Sequence, residues 1–390
     1  MPGLGETTAM LARLRRSAKA PMGGVVSGRM VETAAFGDNP GALRMFSHAP
    51  EGLARGAPLV VVLHGCTQGA QAYAAGAGWL TLADRHGFVV VAAEQTAANN
   101  PNRCFNWFSP GDTRRGEGEA ASIAAMAAHA IAEHGLDPER VFVTGLSAGG
   151  AMTSVMLAAY PDLFAGGAII AGLPYGVADS VPEALRAMNR ADGRAAPELG
   201  ALVRGAAPIG GRIPRVAIWH GGADTVVHAS NADDIASQWA WAHGLAVEPH
   251  ETVSQPGRTH STWRSPATGE VLIESHRLAR LGHGTPLASQ GPEGVGAAAP
   301  FMLEAGVSSS EEILAFWGLE PRPASEWPKA RPETATRPAA ARPPAARGRR
   351  VAPETPDSLG SQVMASIAPH VPSGVQEVIA RALKSAGLMR

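Results

Sequence analysis

Several things are scarce or missing in this sequence. No run of apolar residues is long enough to span a bilayer, so no transmembrane segment is expected. There is no basic bias: 33 Lys and Arg stand against 34 Asp and Glu, a formal net charge of −1, which argues against a general nucleic-acid binder. Cysteine occurs twice, as Cys66 and Cys104. No His, Cys or carboxylate cluster has metal-ligand spacing, and no Gly-x-x-x-x-Gly-Lys-Ser phosphate loop is found. Neither a metal nor another cofactor is expected. The opening "MPGLGETTAMLARLRRSAKAPMGG" has basic residues but lacks the apolar core of a secretory signal. A cytoplasmic location is the expectation from that, with "TAMLARLRRSAKA" as a short amphipathic helix.

What is present reads as an α/β protein. The 45% hydrophobic content of the 390 residues is ordinary for a globular chain. "PLVVVLHG" (58–65), "GFVVVAAE" (87–94), "RVFVTG" (140–145), "GGAIIAG" (166–172) and "PRVAIWHG" (214–221) read as buried strands ending in glycine or polar residues. Segments 117–135, 148–161 and 231–244 have helical composition, 270–278 reads as a further strand, and "SSSEEILAFWGL" (308–319) has a serine cap with glutamates in its first turn. Strands alternating with helices imply a mostly parallel sheet covered on both faces. The organisation expected is an N-terminal segment over 1–28, a catalytic domain over 29–320, a Pro/Ala/Arg-rich linker over 321–357 and a C-terminal helical segment over 358–390. The linker composition cannot build a core, and over 321–353 eight cationic residues face two glutamates. Within "SGVQEVIARALKSAGLMR" (373–390), Val375, Val378, Ile379, Ala382, Leu383 and Ala386 share one helical face.

The chemistry centres on "GLSAG" (145–149), a Gly-x-Ser-x-Gly pattern between a predicted strand and a predicted helix. Such an elbow lifts the serine hydroxyl above the C-terminal edge of the sheet and aims a helix N-terminus at developing negative charge. A serine hydroxyl needs a base, and the base an orienting acid. In the chain order Ser, Asp or Glu, His, Ser147 is followed by Asp224 in "WHGGADTVV" and His283 in "ARLGHGTPL". Asp233 and Asp234 are rival acids, set inside a predicted helix. Among the histidines, His260 in "GRTHSTW" is the serious competitor and otherwise an exposed loop residue; His228, His250 and His276 are poorly placed. The oxyanion donors expected are the amides of Ala148, next to the serine, and Cys66, in the turn after "LVVVLHGC".

Taken in order, "LHGCTQ", "CFNWF", "VTGLSAGGAM", "WHGGADTVV" and "LGHGTP" resemble the poly(3-hydroxybutyrate) depolymerase esterases, which are similar to feruloyl and acetylxylan esterases. The resemblance spans roughly residues 30–320. It implies an α/β-hydrolase fold, a Ser147–Asp224–His283 triad, and Cys66 and Ala148 as oxyanion donors. It further implies a Cys66–Cys104 pairing, as in secreted relatives, set against the reduced thiols normal in cytoplasm. Extracellular location, as for many relatives, is therefore the alternative. Trp107 is a candidate substrate wall and equally a core tryptophan. The insertion at 176–211 reads as a partial lid or as extra helical cover.

The activity implied is hydrolysis of poly(3-hydroxybutyrate) or its oligomers, a polyester or small ester. The alternatives are a feruloyl or acetylxylan esterase and a noncatalytic protein of the polyhydroxyalkanoate granule surface. The C-terminal tail is the candidate contact with such a granule.

Overall fold

The computed structural model describes residues 28–206 and 211–321. The N-terminal segment, the linker and the C-terminal helical segment lie outside the described residues, save Gly28 and Pro321.

The apolar runs form strands because helices bury them from both sides. Ten strands make one sheet: β1 (Val31–Thr33), β2 (Arg44–His48), β3 (Leu59–Leu63), β4 (Val89–Glu94), β5 (Val141–Leu146), β6 (Gly166–Ile170), β7 (Arg215–Gly221), β8 (Glu251–Gln255), β9 (Arg258–Arg264) and β10 (Val271–Leu278). Their order is β1-β2-β4-β3-β5-β6-β7-β10-β9-β8. The six from β4 to β10 are parallel neighbours, and every residue of β3, β5 and β6 is buried. A short parallel pair, β11 (Thr285–Leu287) with β12 (Met302–Glu304), lies apart.

Successive side chains enter opposite layers. Leu59, Val61 and Leu63 of β3 join the core beneath α4 (Gly118–His134), α5 (Ala148–Ala159) and α8 (Ser230–Ala242), whereas Val60 and Val62 join the other core. That second layer holds α1 (Ala70–Gly76), α2 (Trp79–His86) and α9 (Ser309–Trp317), while α3 (Pro110–Thr113) is a single turn. The expected serine cap is made: Ser308 Oγ accepts the Glu311 N–H of α9.

The antiparallel borders of the sheet were not foreseen. β1 has three residues, β2 buries only two of its five, and the β8–β9 hairpin is polar throughout most of its length, so neither border carries the buried apolar run that marks the central strands. His260 is consequently a strand residue of β9, not a loop histidine, and pairs with His276 of β10. The insertion after β6 folds into α6 (Val181–Asn189) and α7 (Ala196–Ala206). It acts as helical cover: Arg204 donates to the Ala242 carbonyl at 2.7 Å, and the Gln238 amide to the Leu199 carbonyl at 3.0 Å.

Candidate active site

The order β4-β3-β5 reverses direction at β3, and ligands of open α/β sheets bind outside the C-terminal strand ends at such a switch point. β3 and β5 run in register to Leu63 and Gly145, so the loop after β3 lies beside the elbow after β5. Ser147 occupies that elbow at φ 59° and ψ −116°, a conformation an L-residue holds only when its surroundings impose it. Its N–H donates to the Ile170 carbonyl at 2.9 Å and its carbonyl receives Ala151 N–H at 2.8 Å. The approach is so close that a Cβ on Gly149 would lie 2.2 Å from the Leu63 carbonyl oxygen. Ala148 is the first residue of α5, and an N–H there has no partner within its helix.

In the loop after β3, hydrogen bonding singles out one amide. Gly65 N–H donates to Gln68 Oε1 at 2.8 Å, Thr67 N–H to the Asn102 carbonyl at 2.7 Å and Gln68 N–H to the Gly65 carbonyl at 3.2 Å. Among the described residues no hydrogen bond uses the Cys66 N–H. His64, fully buried, accepts the Gln95 N–H on Nε2 at 3.0 Å, so its proton sits on Nδ1 and is donated to the Gly65 carbonyl at 2.8 Å. Burial lowers its pKa, in keeping with a neutral ring. A disulfide joins Cys66 to Cys104, with Cα atoms 4.2 Å apart.

Asp224 and His283 meet at the neighbouring strand ends. β7 and β10 finish in register at Gly221 and Leu278, and Ala223 N–H donates to the Leu281 carbonyl at 3.0 Å. Only glycine fits at 221, where a Cβ would lie 2.3 Å from the Leu281 carbonyl oxygen. Asp224 Oδ2 is 2.7 Å from His283 Nδ1, and Oδ1 accepts the N–H groups of Val226 and Val227 at 2.8 and 2.9 Å. Burial would raise the Asp224 pKa, but the imidazoles of His220 and His283 hold it well below the carboxylate range. With a carboxylate as its partner, Nδ1 of His283 carries the proton and Nε2 is the basic nitrogen.

His220 is a further neighbour of Asp224, not singled out by the sequence. Its Nε2 donates to the Val227 carbonyl at 3.0 Å and lies 3.4 Å from Asp224 Oδ2; its place four residues before the acid was the available signal. The rival acids have other partners: Asp233 pairs with Arg277 at 2.7 Å, and Asp234 accepts the Asp192 N–H at 2.7 Å. Among the rival histidines, exposed His228 bonds Ser230 Oγ at 2.7 Å. His250 Nδ1 lies 3.3 Å from the Arg264 N–H. Trp107 is 7% exposed and packs edge-on against Phe108 with centroids 5.5 Å apart.

The sequence spacing suggested no metal cluster, yet His260, Glu274 and His276 bring potential ligand atoms within 4.8 Å of one another. The three converge because β9 and β10 pair in register. Arg258 donates to His276 Nδ1 at 2.7 Å, which leaves the proton of the neutral ring on Nε2, 3.1 Å from Glu274. A protonated nitrogen is no ligand. The His276 ring stacks between Trp219 and His260, with centroids 3.9 and 4.1 Å away, and parallel rings do not converge their lone pairs on one ion. The cluster is a network of polar contacts and ring stacking across strands.

This fold, with a strained serine elbow and an Asp–His pair at the C-terminal edge of the sheet, is that of the α/β-hydrolases, and the chain is a carboxylic ester hydrolase. It belongs to the family described as esterase PHB depolymerase, whose model matches residues 45–252. It is 43% identical over 292 residues to poly(3-hydroxyalkanoate) depolymerase C of Paucimonas lemoignei, covering 74% of this chain and 70% of that one. It is 32% identical to an acetylxylan esterase of Coprinopsis cinerea, covering 67% of this chain and 71% of that one. Among solved structures, the acetyl xylan esterase from Aspergillus awamori shares the fold, with a TM-score of 0.63 at 24% identity, over 75% of this chain and all (100%) of that chain.

Proposed function

We propose that the enzyme hydrolyses short-chain polyhydroxyalkanoates, such as poly(3-hydroxybutyrate) or its oligomers, through an acyl-enzyme on Ser147. The observation that carries the mechanism is the 2.7 Å contact of Asp224 with His283 Nδ1, which orients the basic Nε2. His283 takes the Ser147 proton as the hydroxyl attacks the ester carbonyl, then delivers it to the leaving alcohol. Water deacylates the enzyme by the same route in reverse. The Cys66 and Ala148 amides receive the oxyanion. The substrate class rests on the 43% identity to the depolymerase of Paucimonas lemoignei.

A hydrolysis panel tests this: amorphous polymer, hydroxybutyrate oligomers, p-nitrophenyl esters, methyl ferulate and acetylated xylan. Polymer or oligomers should be turned over fastest. The reverse ranking would move the enzyme to the carbohydrate esterases, a reading supported by the acetylxylan esterase relative. Failure on every ester would leave a noncatalytic granule protein.

The Cys66–Cys104 bridge supports an oxidising compartment over the cytoplasm, which thiol labelling of the protein from fractionated cells would test. The cationic linker and the apolar face written into 373–390 support contact of the tail with a polyester granule surface.

A further inference from the structure

We infer that Glu119 is a positioning residue for the oxyanion loop, holding the Cys66 amide in place through Gln95, Asn106 and Cys104. The inference rests on the proposed role of the Cys66 amide.

Glu119 lies in the first turn of α4 and is 1% exposed. Three N–H groups converge on its carboxylate. Asn106 N–H donates to Oε2 at 2.8 Å, Asn106 Nδ2 donates to Oε1 at 2.7 Å, and Gln95 Nε2 also donates to Oε1. Neither amide can turn to offer its oxygen instead. Gln95 Oε1 already accepts the Thr96 N–H at 2.9 Å and Asn99 Nδ2 at 3.0 Å, while Asn106 Oδ1 accepts Asn100 Nδ2 at 3.0 Å. Position 119 must therefore offer acceptor oxygens to all three donors, in a carboxyl whose pKa burial pushes up to about 8.

Both groups it holds lead to Cys66. Gln95 Nε2 also donates to the Cys104 carbonyl at 3.2 Å, and Cys104 is bonded to Cys66. The Gln95 N–H donates to His64, whose ring in turn donates to the Gly65 carbonyl. Asn106 lies two residues beyond Cys104 in the same loop, whose Asn102 carbonyl accepts the Thr67 N–H. The residues before and after Cys66, and its own sulfur, are thus tied to one buried carboxylate.

Glu119→Gln tests the idea, because an amide has the same shape but must point its NH₂ at a donor in either orientation. The readouts are p-nitrophenyl butyrate kinetics, affinity for a trifluoromethyl ketone, whose adduct carries an oxyanion, and hydrogen exchange at residues 64–67 and 102–107. Removing a whole oxyanion donor costs roughly 10²–10³ in kcat. Displacing one should cost about tenfold, with KM within about twofold, a matching loss of ketone affinity and faster exchange at both loops. Unchanged kcat in a variant that merely melts earlier would make Glu119 structural only and overturn the inference. So would unchanged exchange at residues 64–67. Should Glu119→Gln not fold, Asn106→Ala, which removes one donor, is read in the same way. Failure of the esterase reading itself is seen separately, as a wild-type protein that neither turns over the ester nor binds the ketone; the exchange comparison still decides the positioning.

Discussion

Asp224 and His283, 59 residues apart in the chain, meet with Oδ2 and Nδ1 2.7 Å apart. They do so because β7 and β10 are parallel neighbours whose ends fall in register. The loops leaving those ends are stitched together by the Ala223 N–H and the Leu281 carbonyl. The two side chains are thereby brought together by the register of the sheet and by the contact between the loops that carry them.

Ser147→Ala and His283→Ala should each reduce kcat by on the order of 10⁴-fold or more while leaving the fold intact. The double variant should be hardly worse than either single one, since such groups act as a unit. Steady-state kinetics with p-nitrophenyl butyrate check this, and a serine-directed phosphonate should label Ser147 alone. Turnover that survives in Ser147→Ala would assign the nucleophile elsewhere.

Asp224→Asn should lower kcat by about 10⁴ by presenting the wrong partner to His283 Nδ1, whereas Asp233→Asn, which loses only a surface ion pair with Arg277, should stay near wild type. The opposite result would misplace the acid. Because the folded-state pKa of Asp224 is depressed, its stabilisation is present above the unfolded value near 4 and lost as pH falls below it. Urea unfolding in that acid range should therefore differ between wild type and Asp224→Asn.

A second acid sensitivity sits at His243, which caps α8 and lies with Nε2 3.0 Å from the Pro214 carbonyl. Burial pushes its pKa down to about 4, so between about 6.5 and 4 the unfolded chain binds a proton that the folded one does not. Stability must fall as pH falls through that window. His243→Gln should flatten this part of the profile, measured by urea unfolding at closely spaced pH values. An unchanged slope would remove His243 as its source.

Truncation after Pro321 should preserve hydrolysis of soluble p-nitrophenyl esters, since the last described helix is already closed by Gly318 and the Leu319 N–H bonds back to the Leu314 carbonyl at 2.9 Å. Binding to native polyester granules and their turnover should both weaken. Equal co-sedimentation of truncated and full-length protein across a range of salt would show that the tail is not the anchor.

Much of the central architecture was legible because buried parallel strands must be apolar on both faces, and the runs at 58–65, 87–94, 140–145, 166–172 and 214–221 say so directly. The elbow at Ser147 was legible because its sharp turn tolerates almost nothing but glycine at 145 and 149. Tertiary structure alone decided which distant polar groups would meet. The strands β8 and β9 are polar, with β8 at the edge of the sheet and β9 beside it, so their sequence has no buried run to announce them, and His260, His276 and Glu274 became neighbours only through the register of β9 with β10. Glu119 looks like any acidic residue in the first turn of a helix. Its burial under three N–H donors follows from the loop that Cys104 and Asn106 fold over it. Local sequence carries periodicity and turn chemistry, which are properties of neighbours along the chain. A hydrogen bond between residues far apart depends on strand order and register, which the whole core selects at once.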